Sequence, residues 1–402
     1  MYLILFALLA QTPEQEVENL EHDSYVVRDL ASEKLLKFGA AARPALEKAI
    51  SSETPEVKLR AKKILDSLNI EAIWDSSKVT YVGDYNASDL EKSFNLTGNE
   101  IKLNETISQQ VEVKKLYPKF NYQAVPFWVA LDDFCSKTDS FYSDFNGNHN
   151  SSFFVGYVKR PKAYSGSFKA TLLSSMRRFY EEYDYHDNRS EITHDFKFRL
   201  QTEWECHAKI LAYKNPRVIA VEVDGRNYAV GPKENSWNSI NGMGRNIGAD
   251  IAIRPLPSSA KKIDFLHIKW GFFASTGTRT FDVNVEKGIA EDNNLEARIV
   301  KLTVDSGKVY TLEMEILSNY LLENPNGFDK IISIKMFDKE NNELPPHSQI
   351  FGVEEGFLKF SGKFLEKETT KPYRLEVTYD SLYSKRELDF IFKDVAFPNK
   401  SW

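Results

Sequence analysis

Four stretches in the C-terminal part of the chain alternate apolar with polar or charged residues at a period of two. They are Phe196-Lys197-Phe198-Arg199-Leu200, Tyr310-Leu312-Met314-Ile316, Tyr373-Leu375-Val377-Tyr379 and Leu388-Phe390-Phe392. A period of two puts one set of side chains on a buried face and the other in water, which is the pattern of an antiparallel strand with one wet face. Turn signals stand between apolar runs at Asp224-Gly225 and Asn341-Asn342. The 27 Phe and 19 Tyr suit cross-strand packing on pleated surfaces. Beyond Arg160-Pro161, read as a linker, the pattern predicts mostly antiparallel β-sandwiches, one over 164–285 and a second over 286–402, with one larger distorted sheet as the alternative.

The N-terminal part follows a different period. From Pro13 to Leu68 apolar residues recur at helical spacing, broken at His22-Asp23-Ser24, Gly39 and Ser51-Ser52, which predicts four short helices. Ser24 and Thr54 occupy N-cap positions, and Pro55 takes the favoured first helical position. One pattern is written twice: Val27-Arg28-x-x-Ala31-x-x-Lys34-Leu35 returns as Val57-Lys58-x-x-Ala61-x-x-Ile64-Leu65. With Ala41-Ala42-Arg43-Pro44-Ala45-Leu46 on the intervening helix, it resembles HEAT-type repeats over 11–69. An array this short needs another surface for support, so it either caps the next domain or binds a partner. The basic residues of the repeated helices, Arg28, Lys34, Lys58 and Lys62, are the candidate protein-binding positions.

Between the two regions, 78–160 reads as a small α+β unit. It has a strand at Val79-Thr80-Tyr81-Val82, a helix from Ser88, a second helix opened by Pro126, and strands at Ser140–Tyr142 and Phe153–Val158. The run Ala130-Leu131-x-x-Phe134-x-x-x-Thr138 is similar to the short N-terminal fold of secretins and TonB-dependent receptors, which implies one helix packed on a small sheet.

Tyr2–Ala10 is an uninterrupted apolar run followed by an acidic stretch from Glu14. It is too short to span a bilayer and has the profile of a signal-peptide core, so residues 1–10 are read as an export signal, with a buried first helix of a cytosolic protein as the alternative. The arrangement of leader, HEAT-like head, small α+β unit and β-sandwiches resembles a set of uncharacterised bacterial envelope proteins. The C-terminal Leu388-Asp389-Phe390-Ile391-Phe392-Lys393-Asp394-Val395 is similar to their ends. That resemblance implies periplasmic or envelope localisation and another envelope protein as partner.

The search for chemistry returns little. Net charge is −6, with basic and acidic residues interleaved, so no basic stripe is offered to nucleic acid. Seven histidines are scattered, and no two stand at a metal-site spacing. Cys135, in a helical run, and Cys206, in an apparent strand, make no disulfide framework. Asp144-Phe145-Asn146-Gly147-Asn148-His149-Asn150 lacks the glycine and glutamate positions of a calcium loop. Gly242-Met243-Gly244-Arg245-Asn246-Ile247-Gly248 lacks the spacing of a dinucleotide fingerprint. No catalytic residue, metal ligand or cofactor is assigned. Asp132 and Asp133 are helical neighbours that face apart, whereas Glu203 and Glu205 would share one strand face.

The leading expectation is a non-enzymatic exported scaffold or protein-binding module. The alternative is a glycan-binding or glycan-hydrolysing envelope protein, with Glu203 and Glu205 flanking a glycosidic bond and Trp204 and Trp237 as sugar platforms.

Overall fold

A computed structural model describes residues 12–99, 101–103, 105–143, 152–184, 189–228, 237–239, 245–253, 261–292, 295–305, 309–318, 332–354, 357–365 and 371–397. The leader-like segment 1–10, the loop at 144–150 and the glycines at 242 and 244 lie outside these residues. The chain divides into two compact units, Met1–Asp75 and Ser76–Trp402.

The first unit is helical: α1 (Pro13–Asn19), α2 (Tyr25–Phe38), a 3-10 turn at Gly39–Ala42, α3 (Arg43–Ala49) and α4 (Pro55–Ala72). A capping box between Thr12 and Gln15 opens α1. Ser24 and Thr54 hold the expected N-cap positions without a side-chain cap bond, and Thr54 Oγ1 donates instead to Glu21 at 2.6 Å. Gly39, at φ +59°, ends α2 in a conformation that a side chain resists. The repeated positions Ala31, Leu35, Val57, Ala61, Ile64 and Leu65 all enter one core with Leu20 and Leu46. The doubled sequence pattern is therefore the buried seam of this unit.

The second unit is mostly antiparallel sheet. Its first part contains β1 (Lys78–Asp84), α5 (Ala87–Asn95), α6 (Glu105–Val113), β2 (Lys119–Pro126), α7 (Phe127–Lys137), β3 (Ser140–Ser143) and β4 (Ser152–Val155). β1 pairs with β2 and β3 with β4. Phe94, Phe120, Phe127, Phe134 and Phe153 form the core, with several rings meeting edge to face. Helix α6 is an addition to the two helices expected in this part, and Asn86 rather than Ser88 caps α5, accepting from Asp89 N.

The remaining strands are β5 (Lys162–Ser165), β6 (Phe168–Asp184), β7 (Arg189–Trp204), β8 (Lys209–Lys214), β9 (Arg217–Val223), β10 (Arg226–Tyr228), β11 (Trp237–Ser239), β12 (Asn246–Ile253), β13 (Lys262–Asn284), β14 (Ile289–Asp292), β15 (Leu295–Val304), β16 (Val309–Ser318), β17 (Ile332–Asp338), β18 (Glu343–Leu344), β19 (Pro346–Glu354), β20 (Phe357–Leu365) and β21 (Pro372–Ala396). They form three sheets: β12-β7-β6-β5, β14-β15-β16-β20-β19, and an eight-stranded sheet in which β13 pairs with β21 along nearly its whole length. Asp224 and Gly225, at φ 51° and 72°, make the two-residue turn that joins β9 to β10.

The expected division near Val285 falls inside this eight-stranded sheet, because β21 comes from the second expected sandwich and pairs with β13 from the first. The two long strands also change the face they bury. Leu266, Ile268, Trp270 and Phe272 are all buried, and Phe272 packs against Phe168 of the four-stranded sheet at 4.7 Å. Phe273 and Val283, of opposite parity, instead enter the core built with Leu312, Met314 and Phe360 of the five-stranded sheet. β21 follows suit, burying Leu388, Phe390 and Phe392 at one end and Leu375, Val377 and Tyr379 at the other. One wall thus supports a different sheet on each face, and each large side chain buried there contributes about 1.5–3 kcal/mol.

Candidate functional site

The four-stranded sheet is two-faced, and its polar face builds the site. Its apolar face carries Phe168, Ala170, Leu172, Leu200 and Trp204. On the other face the register sets two rows across the strands. Tyr164 lies opposite Lys169, Lys169 opposite Glu203, and Glu203 opposite Asn246; beside them Lys162 lies opposite Thr171, and Thr171 opposite Gln201. Helix α7 supplies the covering groups. Trp128, Asp132 and Cys135 stand four and three residues apart, so they share one side of that helix.

Where the helix meets the sheet, charges interlock. Lys162 Nζ is 2.6 Å and Lys169 Nζ 3.9 Å from Asp132 Oδ1, while Lys169 Nζ is 2.8 Å from Glu203 Oε2. Tyr164 Oη donates to Asp132 Oδ2 at 2.7 Å. The Lys169 ammonium also lies 4.3 Å from the centre of the Trp128 ring, whose indole N–H is anchored on the Ser167 carbonyl at 2.9 Å. These groups border a cleft of about 490 Å³, with Tyr142, Tyr157, Arg160 and Asn246 also on its wall.

Each ionisable group for which a shift is resolved here is driven away from neutrality. Burial pushes the Asp132 carboxyl up, but the Lys169 and Lys162 charges more than reverse this and hold it below the usual range. Burial pulls Lys169 down, and the Asp132 and Glu203 carboxylates outweigh it and raise its pKa. Burial and the Asp132 charge together raise Tyr164 and push the Cys135 thiol up to about 12.

The sequence-derived candidates do not converge on this cleft. Glu203 is in it, but β7 ends at Trp204 and Glu205 leaves the strand face. Glu205 is fully buried and accepts from Ser76 Oγ, Ser77 N, Ser77 Oγ and Asn99 Nδ2. The two carboxylates do not face one another across a shared opening. Trp204 is 3% exposed and packed beside Phe168, so no indole face is offered to a sugar. Trp237 lies in β11, and its side chain is outside the described residues. Cys206 and His207 occupy the turn between β7 and β8, not a strand.

In the helical unit, Lys34 is paired with the buried Glu16 at 2.8 Å. Arg28 donates to the carbonyls of His22 and Asp23 and lies 3.7 Å from Glu56. Both are engaged within their own unit. Lys58 and Lys62 are exposed on α4, and among the described residues neither forms an ion pair.

Arg160, Lys162, Tyr164 and Lys169 escaped the sequence reading. The signal for three of them is the polar alternation Lys162-x-Tyr164 and Lys169-x-Thr171 on either side of Ser165-Gly166-Ser167, a hairpin with one wet face. Arg160, in the pair read as a linker, lies on the wall of the cleft. Among the described residues no group of three His, Cys, Asp or Glu side chains could hold a metal ion, and no helix is long and apolar enough to cross a membrane. The chain matches no protein-family model and no curated protein sequence.

Proposed function

We propose that this protein is a non-enzymatic exported scaffold of the bacterial cell envelope. In this reading its head is a HEAT-like repeat pair that contacts another envelope protein, and its body is a small α+β unit followed by β-sandwich layers. The observation that supports its non-enzymatic part is the interlocking of the charges around the cleft. A general acid or base works best with a pKa near the operating pH. Here Asp132 is held ionised, Lys169 is held protonated, and Tyr164 and Cys135 are pushed further from titration. Such a set of interlocked ion pairs suits fixing helix α7 on the sheet.

On the head, Lys58, Leu59 and Lys62 occupy one exposed side of α4, with Leu59 half exposed. An exposed apolar residue framed by lysines suits an acidic partner surface.

The test is crosslinked capture from envelope extracts with the full chain and with Lys58→Glu/Lys62→Glu. A partner recovered by the wild type and lost by the variant supports the reading. Equal recovery by both moves the contact off α4, and capture of nothing by either removes the scaffold reading.

A further inference from the structure

We propose that the cleft between α7 and the four-stranded sheet binds a small organic monocarboxylate, its carboxylate on Arg160 and Lys162 and its apolar body against Tyr142 and Tyr157. This rests on the non-catalytic reading above and names the ligand class of a second site in the same protein.

Three cationic side chains, Arg160, Lys162 and Lys169, border the cleft against two carboxylates, Asp132 and Glu203. One positive charge is left in excess. Asp132 and Glu203 are satisfied by the two lysines and Tyr164. Arg160 is exposed and, among the described residues, forms no ion pair. Lys162 Nζ makes one hydrogen bond, to Asp132, among the described residues, and an ammonium has three donors to give.

A planar guanidinium and an ammonium with donors to spare, both on the cleft wall, suit the two oxygens of a carboxylate. A dianion such as phosphate would carry more charge than the cleft has in excess, and it would face two fixed carboxylates. A cationic ligand would meet Arg160 and Lys162 head on.

The walls account for the rest of the ligand. Tyr142 and Tyr157 are half-buried and held in place, Tyr142 edge-on to Trp128 at 6.3 Å and Tyr157 beneath the Lys162 ammonium at 5.3 Å. A volume of about 490 Å³ falls in the range that takes a small molecule. Gln201, Thr171 and Asn246 add neutral polar groups that set orientation without adding charge.

The experiment is titration calorimetry on the full chain with phenylacetate, phenylethanol, phenylethylamine and inorganic phosphate, repeated with Arg160→Gln. Arg160 is exposed, so the variant is expected to fold, and its melting temperature is measured alongside. Saturable binding of phenylacetate is expected, with phenylethanol weaker by about tenfold, as loss of a charge-assisted bond implies, and no binding of the amine. Arg160→Gln should weaken phenylacetate by about tenfold and leave phenylethanol unchanged.

The proposal is overturned if phenylacetate does not bind, if the alcohol binds as tightly as phenylacetate, if the amine binds, if phosphate competes equally, or if the variant binds phenylacetate like the wild type. Proton NMR on the same samples separates the two readings. Conversion of bound phenylacetate to a new species would sink the non-enzymatic reading while binding stood. Absence of binding alongside intact partner capture would remove the cleft proposal alone.

Discussion

Lys169 and Glu203 face one another 2.8 Å apart across paired strands, with only 6% and 10% of their side chains exposed. Their burial makes the pair asymmetric in its response to mutation. Lys169→Met leaves Glu203 desolvated without its ammonium and takes one of two cations from Asp132. Breaking a buried pair in this way costs about 3–5 kcal/mol, whereas replacing both partners costs much less. Urea unfolding should therefore show a larger loss for Lys169→Met than for Lys169→Met/Glu203→Leu. The reverse order would mean that the pair is solvated.

Two buried aspartates should respond to pH in opposite senses. The folded-state pKa of Asp132 is below its unfolded value, so its stabilisation is complete above the ordinary value of 3.8 and is lost as pH falls through the lower folded value. The stability gap between wild type and Asp132→Asn should be flat near neutrality and close only in strong acid. Asp380 is 1% exposed with Oδ2 unpartnered among the described residues, and burial raises its pKa more than Lys209 lowers it. The folded state then holds that proton more tightly. The wild type should lose stability relative to Asp380→Asn as pH rises through the window from 3.8 up to the raised value, and the deficit should level off above it. Chemical denaturation of both variants over an acid-to-neutral series measures both trends, and parallel slopes would contradict the assignment.

The two thiols should separate cleanly. Cys135 is 2% exposed and its thiol, on the wall of the cleft, is pushed up to about 12, so little thiolate exists to react. Cys206 is partly exposed, in a turn beside the Arg245 guanidinium. Ellman titration of the native chain at mildly alkaline pH should count one fast thiol, lost in Cys206→Ser, and a second only in denaturant. Fast labelling of Cys135 in the native chain would contradict the raised thiol pKa.

Local patterns were readable, and distant register was not. The doubled helical motif announced the buried seam through Ala31, Leu35, Ala61 and Leu65, because a helix writes its buried stripe into its own sequence. The alternation at Phe196–Leu200 likewise announced a strand with one wet face. Nothing local reveals that Lys262 lies opposite Ala396, or that β13 changes its buried face at Phe272 and Phe273. The division near Val285 came from that gap. The site suffered the same limit: Asp132 was visible on α7, but Lys162, Lys169 and Glu203 reach it only once three strands are in register. Glu203 and Glu205 were separated by a strand end, which a period-two reading cannot locate. Helix α6 was missed because its apolar anchors are as few as Ile107 and Val111.

Gly362 tests the register of the five-stranded sheet. It lies opposite Leu312 on one side and Gln349 on the other, between Phe360 and Phe364 on its own strand. A Cβ there would stand 2.5 Å from Phe360 Cζ and 2.9 Å from Phe364 Cε2. Both rings are buried, and Phe360 is packed against Phe351 at 4.9 Å. The backbone conformation is not the obstacle, because Gly362 is absent from the positive-φ residues described. Gly362→Ala should therefore destabilise by overpacking, by about 1–3 kcal/mol in urea unfolding. Phe360→Leu, which removes the nearest ring atoms, should recover part of that loss when combined with Gly362→Ala, although alone it costs stability. Additive losses in the double variant would place the two rings away from Gly362 and break the β16–β20–β19 register.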